Sequence, residues 1–542
     1  MMKISHRIFA LGSVFLAALP AFANFDGPAP VAWRWADNAT QAPGGQPVVS
    51  GNSVFVAVGG RIYSIDRVTG NTNWRFPAGE PVAGNFLNGC AMKDGVVVAG
   101  SDEKNIYAVD ANTGALKWQY FATDEIGSNV VIAGNYAVFG NKKNELQSLN
   151  MSNGNDASGA FRVAEGLLPQ LKTYEGSVLY ATARGSLEAF NPSTQKVSWT
   201  QKFSRLNSRG AFSTFEDRIY VNSGSYLVAL RGSNGRVLWQ QNIGRTLDSA
   251  PTANAEYVAT VSQDGMLYTY NANGRPLFPK GVRLSGAPIV EPSFVGKFVC
   301  ASMQSGAMVL IDPVTGDIVW NYVLPALIKP DKEATQSSGG GGGGAGGSAG
   351  AGGGGNTQNE PKAVAYTQAA GAPIVVGDSL FALARDGSLF MFDKNVGVDK
   401  TAPTAEMVWP IPGNEVSGNP PMQIIFQLAD FGIGINPDTI KVEIGGQAYL
   451  GELVADEYYV IKIAPGTVNR PLQNGKQTIN FTISDWLGNA KTHVFRLQID
   501  NSLPALGSPP TVGDNNQGGP GGPGGGRQGG GGLAGGGGAG GL

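Results

Sequence analysis

The chain has 542 residues with 39 basic and 41 acidic side chains; 15% of it is charged and 80 residues are glycine. That length exceeds one ordinary core, so two or more domains are expected. A charge balance near zero excludes a polyanion binder, which needs a basic excess, so no nucleic-acid partner is expected; the glycine load points to turns, to low complexity, or to both.

Residues 1–23 read as a secretory signal peptide. Lys3, His6 and Arg7 make a positive start, "IFALGSVFLAALP" is an apolar run too short to span a bilayer comfortably, and Ala21-Phe22-Ala23 offers small residues before a cleavage site at Asn24. No later segment approaches 18 apolar residues, so no transmembrane segment is expected. The mature protein is therefore expected to be exported, to the periplasm or to the extracellular side and cell surface of a bacterium.

From there the chain repeats itself. "SIDRVTGNTNW", "AVDANTGALKW" and "LIDPVTGDIVW" carry an acidic residue, a Thr-Gly turn and a tryptophan at the same spacing. Aligned on the residue that ends the inner strand, the marks are Asp66, Asp110, Asn150, Asn191, Arg231, Asn271, Asp312 and Asp393, with gaps of 44, 40, 41, 40, 40, 41 and 81. A fixed period near 40 marks a repeat architecture. About a dozen residues before each mark runs a strand such as "VFVAVG", "VVVAGS" or "LFALAR". Asp264-Gly265 and Asp386-Gly387 are the clearest hairpin turns. Each unit then holds about four short strands, a sheet that cannot cover both its faces alone. Radial stacking of such sheets makes a β-propeller.

Trp74, Trp118, Trp199, Trp239 and Trp320 each follow their mark by eight residues, with Phe161 and Phe278 in that place less regularly. Large aromatics at a fixed repeat position are read as wedges between neighbouring blades. The last gap is one repeat plus a glycine-rich stretch, so eight blades are expected over residues 24–400, with a flexible insertion at 331–362. The eighth unit lacks its tryptophan; "PVAWRW" supplies Trp33, so the mature N-terminus should close the ring in the last blade. Cys90 and Cys300 fall on different strands of different blades, which makes a disulfide unexpected and two buried free thiols expected.

The Asp-x-x-Thr-Gly-x-x-x-Trp pattern resembles the PQQ-like tryptophan-docking repeats, named after quinoprotein dehydrogenases that carry pyrroloquinoline quinone on an eight-bladed propeller. Similar repeats occur in the BamB-type subunit of the outer-membrane β-barrel assembly machinery, a non-catalytic scaffold. The resemblance covers roughly residues 28–398. It implies the fold directly and the function weakly, because the motif residues are structural.

Beyond residue 400 the pattern changes. Ile424, Phe426 and Leu428, then Ile440, Val442 and Ile444, then Ile479, Phe481 and Ile483, then Phe495, Leu497 and Ile499 alternate with a period of two, which predicts a β-sandwich over 401–501. "LADFGIGINPDTIKVEIGG" and "FTISDWLGNAKTHVFRLQID" resemble bacterial immunoglobulin-like modules. Asp430 and Asp485 are read as turn-forming residues, since calcium takes six or more oxygen ligands and no dense acidic loop appears. Residues 502–542 are Gly- and Pro-rich and are expected to be disordered.

Catalytic means are few. His6 leaves with the signal peptide and His493 sits on a sandwich strand, so a Ser-His or Cys-His nucleophile in the propeller, a His/Cys zinc site and a haem-attachment motif are excluded. Carboxylate-only glycosidase chemistry stays open with no pair to nominate. The expectation is an all-β, monomeric, non-catalytic scaffold that binds envelope or extracellular proteins or polymers, with no catalytic, cofactor or metal residues. The alternative is a quinoprotein-like oxidoreductase holding pyrroloquinoline quinone and calcium, although the adjacent cysteines that the family typically carries near the cofactor are missing.

Overall fold

The computed structural model describes residues 25–37, 42–86, 88–206, 212–278, 280–327 and 365–506. The signal peptide at 1–23, the insertion at 331–362 and nearly all of the tail at 502–542 lie outside them. The described residues are all-β, with eight four-stranded antiparallel sheets followed by one four-stranded and one five-stranded sheet.

Each of the eight sheets is a blade. In blade 1 the strands Val48–Ser50, Ser53–Val58, Arg61–Asp66 and Thr72–Phe76 run from hub to rim in chain order. The two middle strands are buried along nearly their whole length and mostly apolar because both of their faces are covered. Strand alternation then decides which neighbour each side chain meets. In blade 2, Val97 and Ala99 pack with Phe55 and Ala57 of blade 1, whereas Val98 packs with Ala137 and Phe139 of blade 3. Eight apolar clusters of this kind fill the eight gaps between blades. The innermost strands touch in sequence around the hub, from Val48–Ser50 through Cys90–Lys93 to Ile374–Val376. The architecture is a β-propeller.

Ring closure uses both ends of the repeat region. The strand Val31–Ala36 is the rim strand of the last blade and pairs antiparallel with Ser388–Phe392, placing Trp33 opposite Met391. Trp35, 9% exposed, packs edge-on to Tyr63 of blade 1 at 4.8 Å and donates to Thr72 Oγ1 at 2.9 Å. Arg34 reaches Asp386 at 3.4 Å and lies over the Phe390 ring. Without this strand the last blade would present the unpaired edge of Ser388–Phe392.

Residues 404–499 form a separate two-sheet sandwich. One sheet runs Thr404–Trp409, Met422–Ala429, Tyr458–Ile463, Glu452–Val454; the other is centred on Gly475–Asp485 between Ala490–Ile499 and Ile435–Ile444. Their inner faces share one core that includes Ile424, Phe426, Leu428, Val442, Ile479, Phe481 and Leu497. Leu506 also packs against this core, so the sandwich extends a few residues into what the sequence assigned to the tail.

Candidate functional site

The marks build a repeated latch. Asp110 Oδ1 accepts hydrogen bonds from the amides of Asn112 and Thr113 and from Thr113 Oγ1, and Gly114 N donates to Asp110 O at 2.8 Å. An Asx-type turn of this kind lets a short polar side chain satisfy backbone donors that the rim hairpin leaves open. Asp66 repeats the arrangement with Val68 and Thr69. The donated backbone amides hold both carboxyls below their ordinary range. The turn closes with glycine at positive φ, +72° at Gly70 and +70° at Gly114.

That glycine is where the tryptophan of the preceding blade sits. A Cβ on Gly114 would lie 2.6 Å from the Trp74 indole, and one on Gly70 would lie 2.7 Å from Trp33. Trp118 meets Gly154, Trp199 meets Gly235 and Trp239 meets Gly274 in the same way. In all five cases the indole N–H donates to the backbone oxygen one residue after the mark: Trp33 to Arg67, Trp74 to Ala111, Trp118 to Met151, Trp199 to Gly232 and Trp239 to Ala272, at 2.9–3.1 Å. Blade 3 carries the smaller Phe161, which packs on Phe190 at 4.7 Å, and the next turn accepts Gln195 at φ +56° where the others need glycine.

Trp320 departs from this pattern. It is fully buried beside Phe392 of the last blade, but its indole N–H donates 2.7 Å to Ile433 O, in the sandwich. The loop Asp430-Phe-Gly-Ile-Gly434 takes the place of the neighbouring blade's turn. Tyr322 donates to Phe431 O at 3.1 Å, Val31 N to Gly432 O at 3.0 Å and Trp486 Nε1 to Asn321 Oδ1 at 3.2 Å. A Cβ on Gly434 would stand 2.5 Å from Asn321 O, so the approach of the two backbones requires glycine there. The sequence carried no period to reveal this contact; "DFGIG", two glycines after a capping Asp, is its one visible trace.

The hub encloses a cavity of ≈1230 Å³. Its wall is made where inner strands begin, and near blades 8, 1 and 2 it is backbone against backbone: a Cβ on Gly45 would lie 2.5 Å from Gly89 Cα, and one on Gly371 2.6 Å from Gly45 O. Elsewhere amides line it, among them Gln46, Asn88, Asn129, Gln170, Gln263 and Gln304, together with Lys172, Arg205, Arg385, Asp248 and Glu291. Some of the amides hold the ring together: Asn88 Nδ2 donates to Ser128 O of blade 3, and Asn129 exchanges two bonds with Leu171 of blade 4. A planar tricarboxylate quinone would find cations for its carboxylates here. Among the described residues it would find no aromatic ring to lie against and no pair of cysteines. The lining therefore does not fit pyrroloquinoline quinone.

Cys90 and Cys300 are both free. Cys300 is buried as expected from the sequence; Cys90 is only half-buried, at the cavity wall, because its strand faces the hub. Burial pushes both thiols up to about 12, which keeps them protonated and weakly nucleophilic at neutral pH. His493 is half-exposed on its strand, with Nε2 3.0 Å from Pro403 O. Asp430 and Asp485 both cap turns, Asp430 through the amides of Gly432 and Gly434 and Asp485 through those of Leu487 and Asn489. The structure adds Asp399 to them, bringing carboxylate oxygens of all three within 4.8 Å of one another. Burial and these two neighbours push Asp430 up to about 6. Asp399 and Asp485 are committed to backbone amides on their turns, whereas Asp430 Oδ2 is buried with no hydrogen-bond partner.

The family described as outer membrane protein assembly factor BamB matches residues 30–160 and 183–334, more than half of the chain. The BamB protein of Yersinia pestis is 25% identical over 256 residues, which cover 42% of this chain and 64% of that protein. Tetrathionate hydrolase of Acidithiobacillus ferrooxidans is 25% identical over 311 residues, covering 45% of this chain and 59% of the enzyme. The chain thus spans less than two thirds of the length of either curated relative. The crystal structure of BamB from Moraxella catarrhalis aligns at 16% identity with a TM-score of 0.47, over 67% of this chain and 98% of that one. No described helix is long and apolar enough to cross a membrane. With the repeat, the latch and the matched residues in agreement, the chain belongs to the BamB family of outer membrane protein assembly factors.

Proposed function

We propose that the protein is a non-catalytic, exported scaffold of the bacterial envelope that serves in outer-membrane protein assembly by binding protein partners. One observation carries this reading: the side chains that the repeat conserves within the chain are spent on blade-to-blade contact. Five indoles and their turns hold the disc together and leave loops and rim edges as the surfaces open to a partner. Family membership supports the envelope role, and the amide-lined hub supports the absence of chemistry.

A second reading is kept because one relative is named as a tetrathionate hydrolase. In that case the chemistry would belong in the hub cavity, where Lys172, Arg205, Arg385, Asp248 and Glu291 are the charged groups. Pyrroloquinoline quinone with calcium, which the hub lining does not fit, is tested alongside it. The experiment is to titrate the purified mature protein with the quinone and calcium by calorimetry, and to assay dye reduction and tetrathionate turnover. The scaffold reading expects neither stoichiometric binding nor turnover. Turnover that is lost in Lys172→Ala or Arg205→Ala would replace it with an enzyme.

A further inference from the structure

The seam between the propeller and the sandwich contains a second acidic feature, separate from the caps of the 430–434 loop. The hairpin between Glu452–Val454 and Tyr458–Ile463 turns through Ala455 and Asp456, at φ +53° and +60°, and drives Asp456 and Glu457 into the interface. Asp456 is 8% exposed and Glu457 is 3% exposed. Asp456 accepts a hydrogen bond from Ser285 Oγ, in the connection between blades 6 and 7, and faces Asn321 on the rim strand of blade 7. Glu457 Oε2 is buried with no hydrogen-bond partner. Two adjacent carboxyls thus meet the propeller in a site that solvent does not reach.

The groups set against the pair come from every side, and among the described residues none is a cation. The propeller contributes Ser285, Asn321 and Tyr366; the sandwich contributes Tyr458 beside them and Asp430 across a small shared gap. Tyr366 donates to Leu428 O at 2.9 Å, so its hydroxyl is committed to the backbone. An ionised carboxylate at Glu457 would have neither a counter-charge nor full hydrogen bonding, an arrangement that low-dielectric surroundings penalise strongly.

We propose that the Asp456–Glu457 hairpin is a proton-dependent clasp: the sandwich stays seated on blade 7 while these carboxyls are protonated and loosens when they ionise. Burial and the adjacent Asp456 push Glu457 up to about 8, and burial raises Asp456 as well. A carboxyl whose pKa is raised on closure holds its proton more tightly in the closed state. Closure is therefore fully supported below the ordinary carboxylate range near pH 4, weakens steadily as pH rises from there, and has lost this support by about pH 8, where the closed state ionises too. The clasp is tightest in acidic surroundings and weakest from about pH 8 upward.

The test is hydrogen exchange on the mature full-length protein from pH 6 to pH 9.5, read as protection factors so that the intrinsic base catalysis of exchange is removed. The seam reporter is the cross-domain amide of Val31, which donates to Gly432 O; the reference is Phe139 in the middle of blade 3. Seam protection should fall by about tenfold per pH unit from pH 6 up to about 8, the slope of one linked proton, and level off above that, while Phe139 stays level throughout. Glu457→Gln, which keeps the shape and cannot ionise, should flatten the seam curve. Wild-type seam protection that is constant across the range overturns the proposal whether or not the variant folds. So does a Glu457→Gln protein whose seam keeps the wild-type slope.

Discussion

Blades 1 and 7 solve the same problem with different material. The rim tryptophan of blade 1, Trp74, lies on the glycine of the next blade's turn and donates to Ala111 O. The rim tryptophan of blade 7, Trp320, has the same place in the repeat, but a loop from another domain receives its N–H through Ile433 O. The first is half-buried and the second is wholly buried, because the sandwich covers the rim of blade 7. The lesson is that a repeat residue keeps its need, a partner for a buried indole N–H, even where the neighbour changes. The sandwich thereby acts as a structural piece of the propeller at one blade.

The largest test of this comparison removes the closing strand. Deleting residues 25–36 takes away Trp33, Trp35 and the pairing with Ser388–Phe392. Calorimetry should show the propeller transition collapsing to a broad, low-temperature event; an unchanged melting curve would mean that the ring holds without its closing strand.

Next come the two tryptophans. Trp118→Ala and Trp320→Ala should each cost ~3–5 kcal/mol in denaturant unfolding, the usual range for truncating a large aromatic in a core. They should differ in reach. Trp320→Ala also orphans Ile433 O, so the amides around residues 432–434 should lose exchange protection, whereas Trp118→Ala should leave them untouched. Equal seam protection in both variants would break the distinction.

A glycine pair sharpens the latch itself. Gly114 and Gly134 both adopt positive φ, +70° and +61°, but a Cβ on Gly114 meets the Trp74 ring and one on Gly134 meets nothing within 4 Å. Gly134→Ala should cost about 1–2 kcal/mol for backbone conformation alone. Gly114→Ala should add about 1–3 kcal/mol for overpacking. Matching losses in urea titrations would deny the close approach.

The smallest effect is acidic. Asp66 and Asp110 are held below the ordinary carboxylate range by their turn amides, so their contribution is present above about pH 4 and is lost as pH falls through their depressed pKa values. Asp110→Asn retains an acceptor oxygen and should blunt that acid-side loss slightly in melting curves taken between pH 5 and 2. A steeper loss in the variant would contradict the cap.

These particulars also show what the sequence made legible. The repeat disclosed the blades, the turns and five of the indole contacts, because each is a local consequence of spacing within or between adjacent units. The closing role of Trp33 was readable because its context matches the other rim strands. The alternation through Ile424, Phe426 and Ile479 disclosed the sandwich core. Long-range docking was not legible: nothing in the spacing of Trp320 differs from that of Trp74, and Ile433 is 113 residues away. Asp399 joined Asp430 and Asp485 only through folding. Cys90 was expected to be a buried thiol, yet its strand is the innermost of blade 2 and lines the hub.

The scaffold assignment is tested most directly by depleting the protein in the bacterium that encodes it and measuring folded outer-membrane β-barrel proteins by their heat-modifiable mobility. The expected result is a reduced folded fraction, restored both by the wild-type chain and by a chain carrying Lys172→Ala and Arg205→Ala in the hub. Undiminished barrel assembly, together with loss of a hydrolytic or oxidoreductive activity that the hub variant fails to restore, would contradict it.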